Sequence, residues 1–412
     1  MPQIFKNVAG PMAHLNRADP RATGLTLPFD RARTVGLSAS EDALGLPFDP
    51  HAVGLTAPER QDFEKVRAAW VNAIADAALT PASRPQHSLG SFARSWAALF
   101  GYENMPASES ACLRRLLCGR LLDDPAYLSA AADFPYVLAD AQNKVFQAIA
   151  PTFSPTWWAI GKVAAVNSLL PVQTSMLQPV GTLPVVEEGE EYNEFKGAGD
   201  DGSVYLMHKR GALWGVSFEA LERDGAAALR DPAERFAAAA VATEDAEAWG
   251  LFFGNPVMKD GKALFSADHG NLMSGQALSP ATLKEARKAL VAQNAPNGEP
   301  LYLRAKSLIV PLAMTDDAAG VLKGIGNTEL PPEDRLELVV EPRADVFSQS
   351  AWYLAADPAR WPGLQVAFIG GVQQPTVRSQ WDMSRDTLVV KTTHIFGVGV
   401  GDWRGFVMNP GA

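Results

Sequence analysis

PVQTSMLQPVGTLPVVEEGEEYNEFKGAGDDGSVYLMHKRGALWGVSFEALERDGAAALRDPAERFAAAAVATEDAEAWGLFFG, residues 171–254, reads as a long two-stranded ribbon running into one long helix. The outgoing arm is Val172–Val186, the tip is Glu187–Ser203 and the return arm is Val204–Phe218. On the return arm Val204, Leu206 and His208 alternate with Tyr205, Met207 and Lys209, the period of a strand with unlike faces. The tip is rich in glycine and acid, as a wide turn requires. Two strands alone are marginal in water. The apolar side chains of the arms (Met176, Leu177, Leu206, Trp214, Phe218) therefore need a sheet, a helix or another subunit to lie on. A neighbouring copy of the same chain is the simplest provider.

The helix has a marked start and stop. Asp231 suits the N-cap, Pro232 the first helical position and Glu234 the capping-box carboxylate, and Gly254 ends the run. Phe236, Trp249 and Phe253 are large apolar residues along it, and alanines between Phe236 and Ala242 keep its middle thin, so other backbone can approach closely. At about 1.5 Å per residue it forms a rod roughly 33 Å long. Such a ribbon joined to such a spine is a part for assembly more readily than an active site.

A chain of 412 residues buries a substantial core and suggests two or three domains. With 47% hydrophobic and 20% charged residues it is a folded protein rather than a disordered one. No apolar run reaches bilayer length, and MPQIFKNVAGP lacks a signal-peptide core, so no membrane partner is expected. Cys112 and Cys118 lie six apart in a predicted helix, on different faces, and imply neither disulfide nor metal framework. The net charge of −10 opposes tight, extended binding to nucleic-acid phosphates; it suits a surface that faces packed DNA without sticking to it, and equally an acidic soluble enzyme.

Residues 1–56 repeat LPFD at Leu27–Asp30 and Leu46–Asp49 among Gly-Leu pairs and read as an extended arm, either an inter-subunit strap or a loose tail. Thr56 and Glu59 form a capping box for a helix with Phe63, Val66, Trp70 and Ile74 on one face. Further helices are expected over Phe92–Phe100 and Ala111–Leu122, from Pro135 with the stripe Leu138, Ala141, Val145 and Ile149, and from Ser279-Pro280 with Leu283, Ala286 and Leu290. Strands are expected at Ser307–Pro311, Leu336–Val340, Gln365–Ile369 and Thr387–Phe396. Helices and strands mix without regular βαβ spacing, so the fold class is α+β.

Enzyme signatures are missing: there is no GxSxG, HExxH or Walker A pattern. Gly397, Gly399 and Gly401 have the wrong spacing for a dinucleotide loop and fit crowded backbone at a strand end. Asp268-His269 is the most site-like pair. It admits a hydrolase reading, against the plainer one of a hydrogen-bonded loop histidine. Glu187, Glu188, Glu190, Glu191 and Glu194 lack the alternation of a cation loop and read as an exposed acidic turn; Glu219 and Glu222 read as solvated. No catalytic residue, cofactor or metal is assigned. The acidic tip contrasts with His208, Lys209 and Arg210 on the return arm and with Arg360, Arg378, Arg385 and Arg404 further on. A head-to-tail contact of the tip with a neighbour's basic surface would close rings, the charges setting register and the apolar arms supplying buried area.

The helical stretch Asp133–Ala150, the ribbon with EEGEEYNEF, the alanine-rich helix, LFSADHGNL (Leu264–Leu272), AWYLAADP (Ala351–Pro358) and DWRGFVMNPG (Asp402–Gly411) together resemble the major capsid proteins of tailed bacteriophages. The variety is the one often described as a prohead protease and major capsid fusion, and the resemblance covers about Asp133 to Ala412. It implies a Hong Kong 97-type fold: an N-terminal arm (1–56), a scaffold-like or capsid-lining helical segment (57–132), the start of a peripheral domain (133–171) and an E-loop hairpin (172–218). The peripheral domain then continues through the spine helix (219–274), an axial domain follows (275–376), and closing strands end the chain (377–412). It further implies hexamers and pentamers in an icosahedral shell around double-stranded DNA contacted weakly and non-specifically, in a virion assembled in the bacterial cytoplasm, with portal, scaffold or decoration proteins as partners. An encapsulin-like or gene-transfer-agent shell is the alternative within that fold. No serine protease motif stands in residues 1–130, which leaves that segment to be a scaffolding domain, removed or retained. Some members of the family crosslink an E-loop lysine to an asparagine of another subunit; here Lys196 and Asn409 are the positions to test.

Overall fold

The computed structural model describes residues 57–79, 88–99, 106–118, 125–174, 203–295 and 298–412. The N-terminal arm, the Thr56 cap and the ribbon between 175 and 202, which holds Met176, Leu177, the five tip glutamates and Lys196, lie outside the described residues. Along the chain come helices α1 (Ala57–Leu79), α2 (Leu89–Leu99), α3 (Glu109–Cys118) and α4 (Pro125–Ile149). Strands β1 (Gly161–Val166), β2 (Val172–Gln173), β3 (Val204–Tyr205) and β4 (His208–Ser217) follow, then α5 (Phe218–Asp224) and α6 (Arg230–Phe253). The remainder comprises α7 (Pro280–Val291), β5 (Ala305–Val310), α8 (Thr315–Gly324), β6 (Glu337–Val340), β7 (Trp352–Ala356), β8 (Leu364–Ile369), β9 (Thr376–Asp382), β10 (Thr387–Val400) and β11 (Phe406–Asn409). The class is α+β, as the sequence predicts.

The chain forms two compact units, one of residues up to Phe153 with Gly211–Ala239 and Gln374–Thr393, the other of Ser154–Arg210, Ala240–Gln373 and His394–Ala412. In the first, α4 packs on α1 and β9. Its core gathers Trp70, Ile74, Phe92, Trp96, Phe134, Leu138 and Phe236, with Trp70 edge-on to Phe92 at 5.8 Å and to Trp96 at 5.9 Å. Cys112 is buried and Cys118 half-buried, both free thiols.

Three expectations need correcting in this unit. Pro135 does not open α4; it lies inside a helix that begins at Pro125. An interior proline loses one backbone bond and crowds the preceding turn, but Phe134 before it and Val137, Leu138, Ala141 and Val145 after it are all buried. Tertiary burial outweighs the local loss, as it does for most protein helices. Asp231 is not a cap either, because the 3₁₀ turn Gly225–Leu229 leads directly into α6 at Arg230. Its carboxylate instead accepts from Arg235 Nε at 2.9 Å, one turn on. Glu222 is not simply solvated but accepts a hydrogen bond from the Ser110 hydroxyl.

In the second unit β8 pairs in parallel with β1 (Val163 opposite Val366) and antiparallel with the end of β10 (Phe396 opposite Phe368). A second sheet has the order β11-β7-β5-β6. Phe252 is the hub of the core here, with ring centroids 5.0 Å from Phe406, 5.3 Å from Phe265 and 5.3 Å from Tyr353. Phe252→Ala is expected to cost about 3–5 kcal/mol, read as a lower denaturant midpoint; a loss under about 1 kcal/mol would mean the core closes over the gap. A further core unites Leu283, Leu308, Val310, Leu322, Trp352 and Leu354. Its helix α7 starts as predicted: Ser279 and Thr282 form a reciprocal capping box, with Pro280 in the first turn. Strands β1 and β7 have no counterpart among the predicted strands, and β9 and β11 only in the closing strands that the resemblance implies; the short run WYLAA of β7 is buried throughout and so shows no alternation.

Candidate assembly surface

The ribbon root obeys the predicted alternation. Tyr205 and Met207 are buried, whereas Val204 and Leu206 are more than half exposed. The inward pair packs on Ala367, with Ala164, Val166, Val172, Ile369 and Ile395 around it. The inward face of the root therefore shelters on its own sheet, and its outward face, with Val204 and Leu206, does not. Pairing between the two arms is seen at Val172 with Tyr205 and Gln173 with Val204. The expected return arm of one continuous strand is corrected in the same place: β3 stops at Tyr205, and β4 is a neighbour of β10 instead.

The glycine run explains how the root fits. A Cβ at Gly397 would stand 2.5 Å from the Leu206 carbonyl oxygen, and one at Gly399 2.1 Å from the Tyr205 ring. These glycines admit the ribbon against β10, the crowded-backbone reading, and β10 consequently runs on to Val400 rather than ending at Phe396.

Basic residues of the root divide by role. Lys209 is exposed. Arg210 pairs with Glu247 of α6 and lies over the Phe396 ring at 4.4 Å. Trp214 faces the Arg235 guanidinium at 5.1 Å, a cation–π arrangement on a side chain still 37% exposed. Phe236, Trp249 and Phe253 are buried, so their part in α6 is to anchor it in the cores. Leu169, Leu170 and Leu213 are exposed apolar residues that the sequence reading passed over; Leu169 and Leu170, side by side before Pro171 with no helical or strand period, were the available signal.

Asp268 and His269 do not form a reactive pair. Asp268 is exposed and pairs with Lys262 at 3.3 Å. His269 is buried, stacked on Trp403 at 4.2 Å, with Nε2 2.7 Å from Asp260 Oδ2 and Nδ1 3.2 Å from the Leu264 carbonyl oxygen. Both ring nitrogens are committed, so the hydrolase reading loses its base. Nearby, burial pushes the Asp402 carboxyl up to about 6 against the pull of Arg404. Asn409 is likewise withdrawn from crosslinking: it is buried, and its Oδ1 accepts from the backbone N–H groups of Gln276 at 2.9 Å and Gly411 at 3.0 Å. Arg404 is also buried, bonded to Asp402 at 3.2 Å, which removes it from the basic surface. A concavity of about 530 Å³ near the starts of β5 and β6 includes Arg304, Lys306, Arg335, Glu333, Glu337 and Arg360, with charges of both signs mixed. Among the described residues no cluster of histidine, cysteine and carboxylates is arranged to hold a metal, and no helix is long and apolar enough to cross a membrane.

An apolar ribbon root beside a thin anchored helix, with the site-like histidine locked in place, describes a building block. The sequence profile of the phage capsid protein family matches residues 201–409, from the return arm to the last strand. The chain belongs to the phage capsid protein family. It is a structural protein of a phage head, and the reading as a major capsid protein stands on that membership. No curated protein matches this capsid protein. Solved structures similar to it include a phage-related protein from Bordetella bronchiseptica, 13% identical over 65% of this chain and 95% of that one with a TM-score of 0.45. A virus-like particle protein from Pyrococcus furiosus is 12% identical over 65% and 97%, with a TM-score of 0.38. A satellite phage P4 procapsid chain is 12% identical over 65% and 90%, with a TM-score of 0.37.

Proposed function

We propose that this capsid protein is the major head subunit of a tailed double-stranded DNA phage or prophage, of Hong Kong 97 type, joining as hexamers and pentamers around the genome. The observation that carries the reading is the split ribbon root. One face is buried on its own sheet, and the other presents Val204 and Leu206 to solvent at the base of a long acidic-tipped excursion. Exposed apolar area of this kind is an interaction site rather than a monomer's surface. The excursion between 172 and 218 serves as the E-loop, reaching a neighbouring copy, and α6 as the spine. Residues 275–376 serve as the axial domain, consistent with the core around Leu283, Leu308 and Trp352. The helical unit before Ala150 lines the shell or acts as a scaffold, and the subunit is not an enzyme. Assembly takes place in the bacterial cytoplasm with portal, scaffold or decoration proteins, and DNA is contacted weakly.

Electron microscopy of the purified protein is expected to show capsomers or closed shells. A monodisperse monomer at the concentrations where relatives assemble would overturn the reading. The tip charges supply register. Reversing Glu190 and Glu191 to lysine is therefore expected to slow or weaken assembly at low salt, and the difference from the parent should shrink as salt is raised, since exposed charges are screened within about 8 Å at physiological ionic strength. Light scattering over a salt series checks it; equal curves for parent and variant would remove the electrostatic part.

A further inference from the structure

Four buried ionisable side chains that the assembly reading does not use gather around Thr156 and Trp157: Glu244 and Asp245 from α6, Glu341 after β6, and His394 from β10. Asp245 Oδ1 accepts the backbone N–H of Thr156 at 2.8 Å and of Trp157 at 3.0 Å. The same oxygen lies 3.1 Å from Thr156 Oγ1, and Glu341 Oε2 lies 2.9 Å from that hydroxyl on another side. Trp249 donates its Nε1–H to Thr156 Oγ1 at 2.8 Å.

A proton count follows. The threonine hydroxyl owns one hydrogen and two lone pairs. The indole takes one lone pair, and the single hydrogen can serve only one of the two carboxylates. The other carboxylate then faces the remaining lone pair at hydrogen-bond distance, a repulsion that burial does not screen. One further proton resolves it. With a hydrogen on one of the two carboxyl oxygens, that acid donates to Oγ1, Oγ1 donates to the other carboxylate, and every position around the hydroxyl is filled.

We propose that Asp245 and Glu341 share one proton across the Thr156 hydroxyl in the folded subunit, and that Asp245–Thr156–Glu341 is a proton-dependent latch. It fixes the turn Thr156–Ala159, from which β1 leads to the ribbon. Burial raises the Asp245 carboxyl above its usual range, working against the bonds from Trp157 and Thr156 and the Arg343 charge. The other charged groups of the cluster are committed elsewhere. Arg343 Nη1 donates to Glu341 Oε1 at 2.8 Å, His394 Nε2 meets Glu244 Oε1 at 2.8 Å, and Trp157 Nε1 donates to Glu244 Oε2 at 3.0 Å. A carboxyl raised by folding contributes stability that is present below the unfolded value and is lost as pH rises through the folded one.

Infrared spectra of the full chain in heavy water, taken from about pH 4 to about pH 8, test the proposal, with unfolding midpoints over the same range. A protonated-carboxyl band that persists above the ordinary aspartate range, near 3.9, is expected in the parent and is expected to vanish in Asp245→Asn and in Glu341→Gln alike, since each leaves one carboxyl for the one hydroxyl hydrogen. Asp402 contributes a band of its own, which the difference between parent and Asp245→Asn cancels. The parent's midpoint should fall with rising pH relative to Asp245→Asn. A band kept in either variant shows a proton that needs no second carboxyl and overturns the proposal, as does a parent with no band beyond that of Asp402. Should either variant not fold, Thr156→Val removes the relay, and the band beyond that of Asp402 must then shift if the latch exists. Neither measurement requires assembly, so failure here leaves the shell reading standing.

Discussion

Deleting residues 187–203 is expected to leave a folded, soluble subunit that cannot close a shell. The described part of the ribbon supports both halves of that expectation. Tyr205 and Met207 hold the root on Ala367 and its neighbours without any contribution from the tip, so the body keeps its cores. What the deletion removes is Glu187–Ser203 alone, the most acidic stretch of the chain and the part with no apolar face of its own to shelter. An assembly whose energy comes from many repeated contacts is sensitive to the loss of one contact per copy. Circular dichroism should match the parent while sedimentation shows no particles. Normal shells from the deleted protein would remove the ribbon from the assembly mechanism.

A stability loss as large as that of Phe252→Ala is expected from His394→Ala. His394 and Glu244 are both nearly fully buried, with the imidazole 4.9 Å from the Phe396 ring and 5.8 Å from Phe368. Replacing the ring leaves Glu244 buried with the donation from the Trp157 indole N–H but without the imidazole. Removing one member of a buried pair costs about 3–5 kcal/mol, because the other is left uncompensated. Glu244→Gln in the same background should recover part of the loss, since an amide needs no counter-charge; the double-mutant cycle isolates the coupling. A single-variant loss below about 1 kcal/mol, measured by denaturant unfolding, would show that Glu244 finds water or another donor.

The face alternation of the ribbon root was legible from residue order because it is a local periodicity: period two carries Tyr205 and Met207 inward, whatever they meet there. The spine helix was legible from its alanine run and its glycine stop, while Phe236 and Trp249, on different faces of it, belong to different cores. The capping of α7 by Ser279 was readable for the same reason, every atom of it lying within three residues. Asp231 misled because the signal of a cap is its side chain, whereas its use depends on what precedes it, here a 3₁₀ turn already wound. Pro135 misled because its cost is local and the burial that offsets it is not.

The polar cluster was not legible. Glu244-Asp245 sits on the same face as Trp249 and Phe252, an anomaly in an alanine-rich helix, but the partners that satisfy it come from positions near 156, 341 and 394. Residue order determined that this chain would have an α+β fold, a thin spine and a ribbon with one wet and one dry side. Which strand the dry side would rest on, which histidine would be locked and where the buried carboxylates would find donors were settled by packing. Periodicity is a property of neighbours in the chain, while hydrogen-bond satisfaction is a property of neighbours in space.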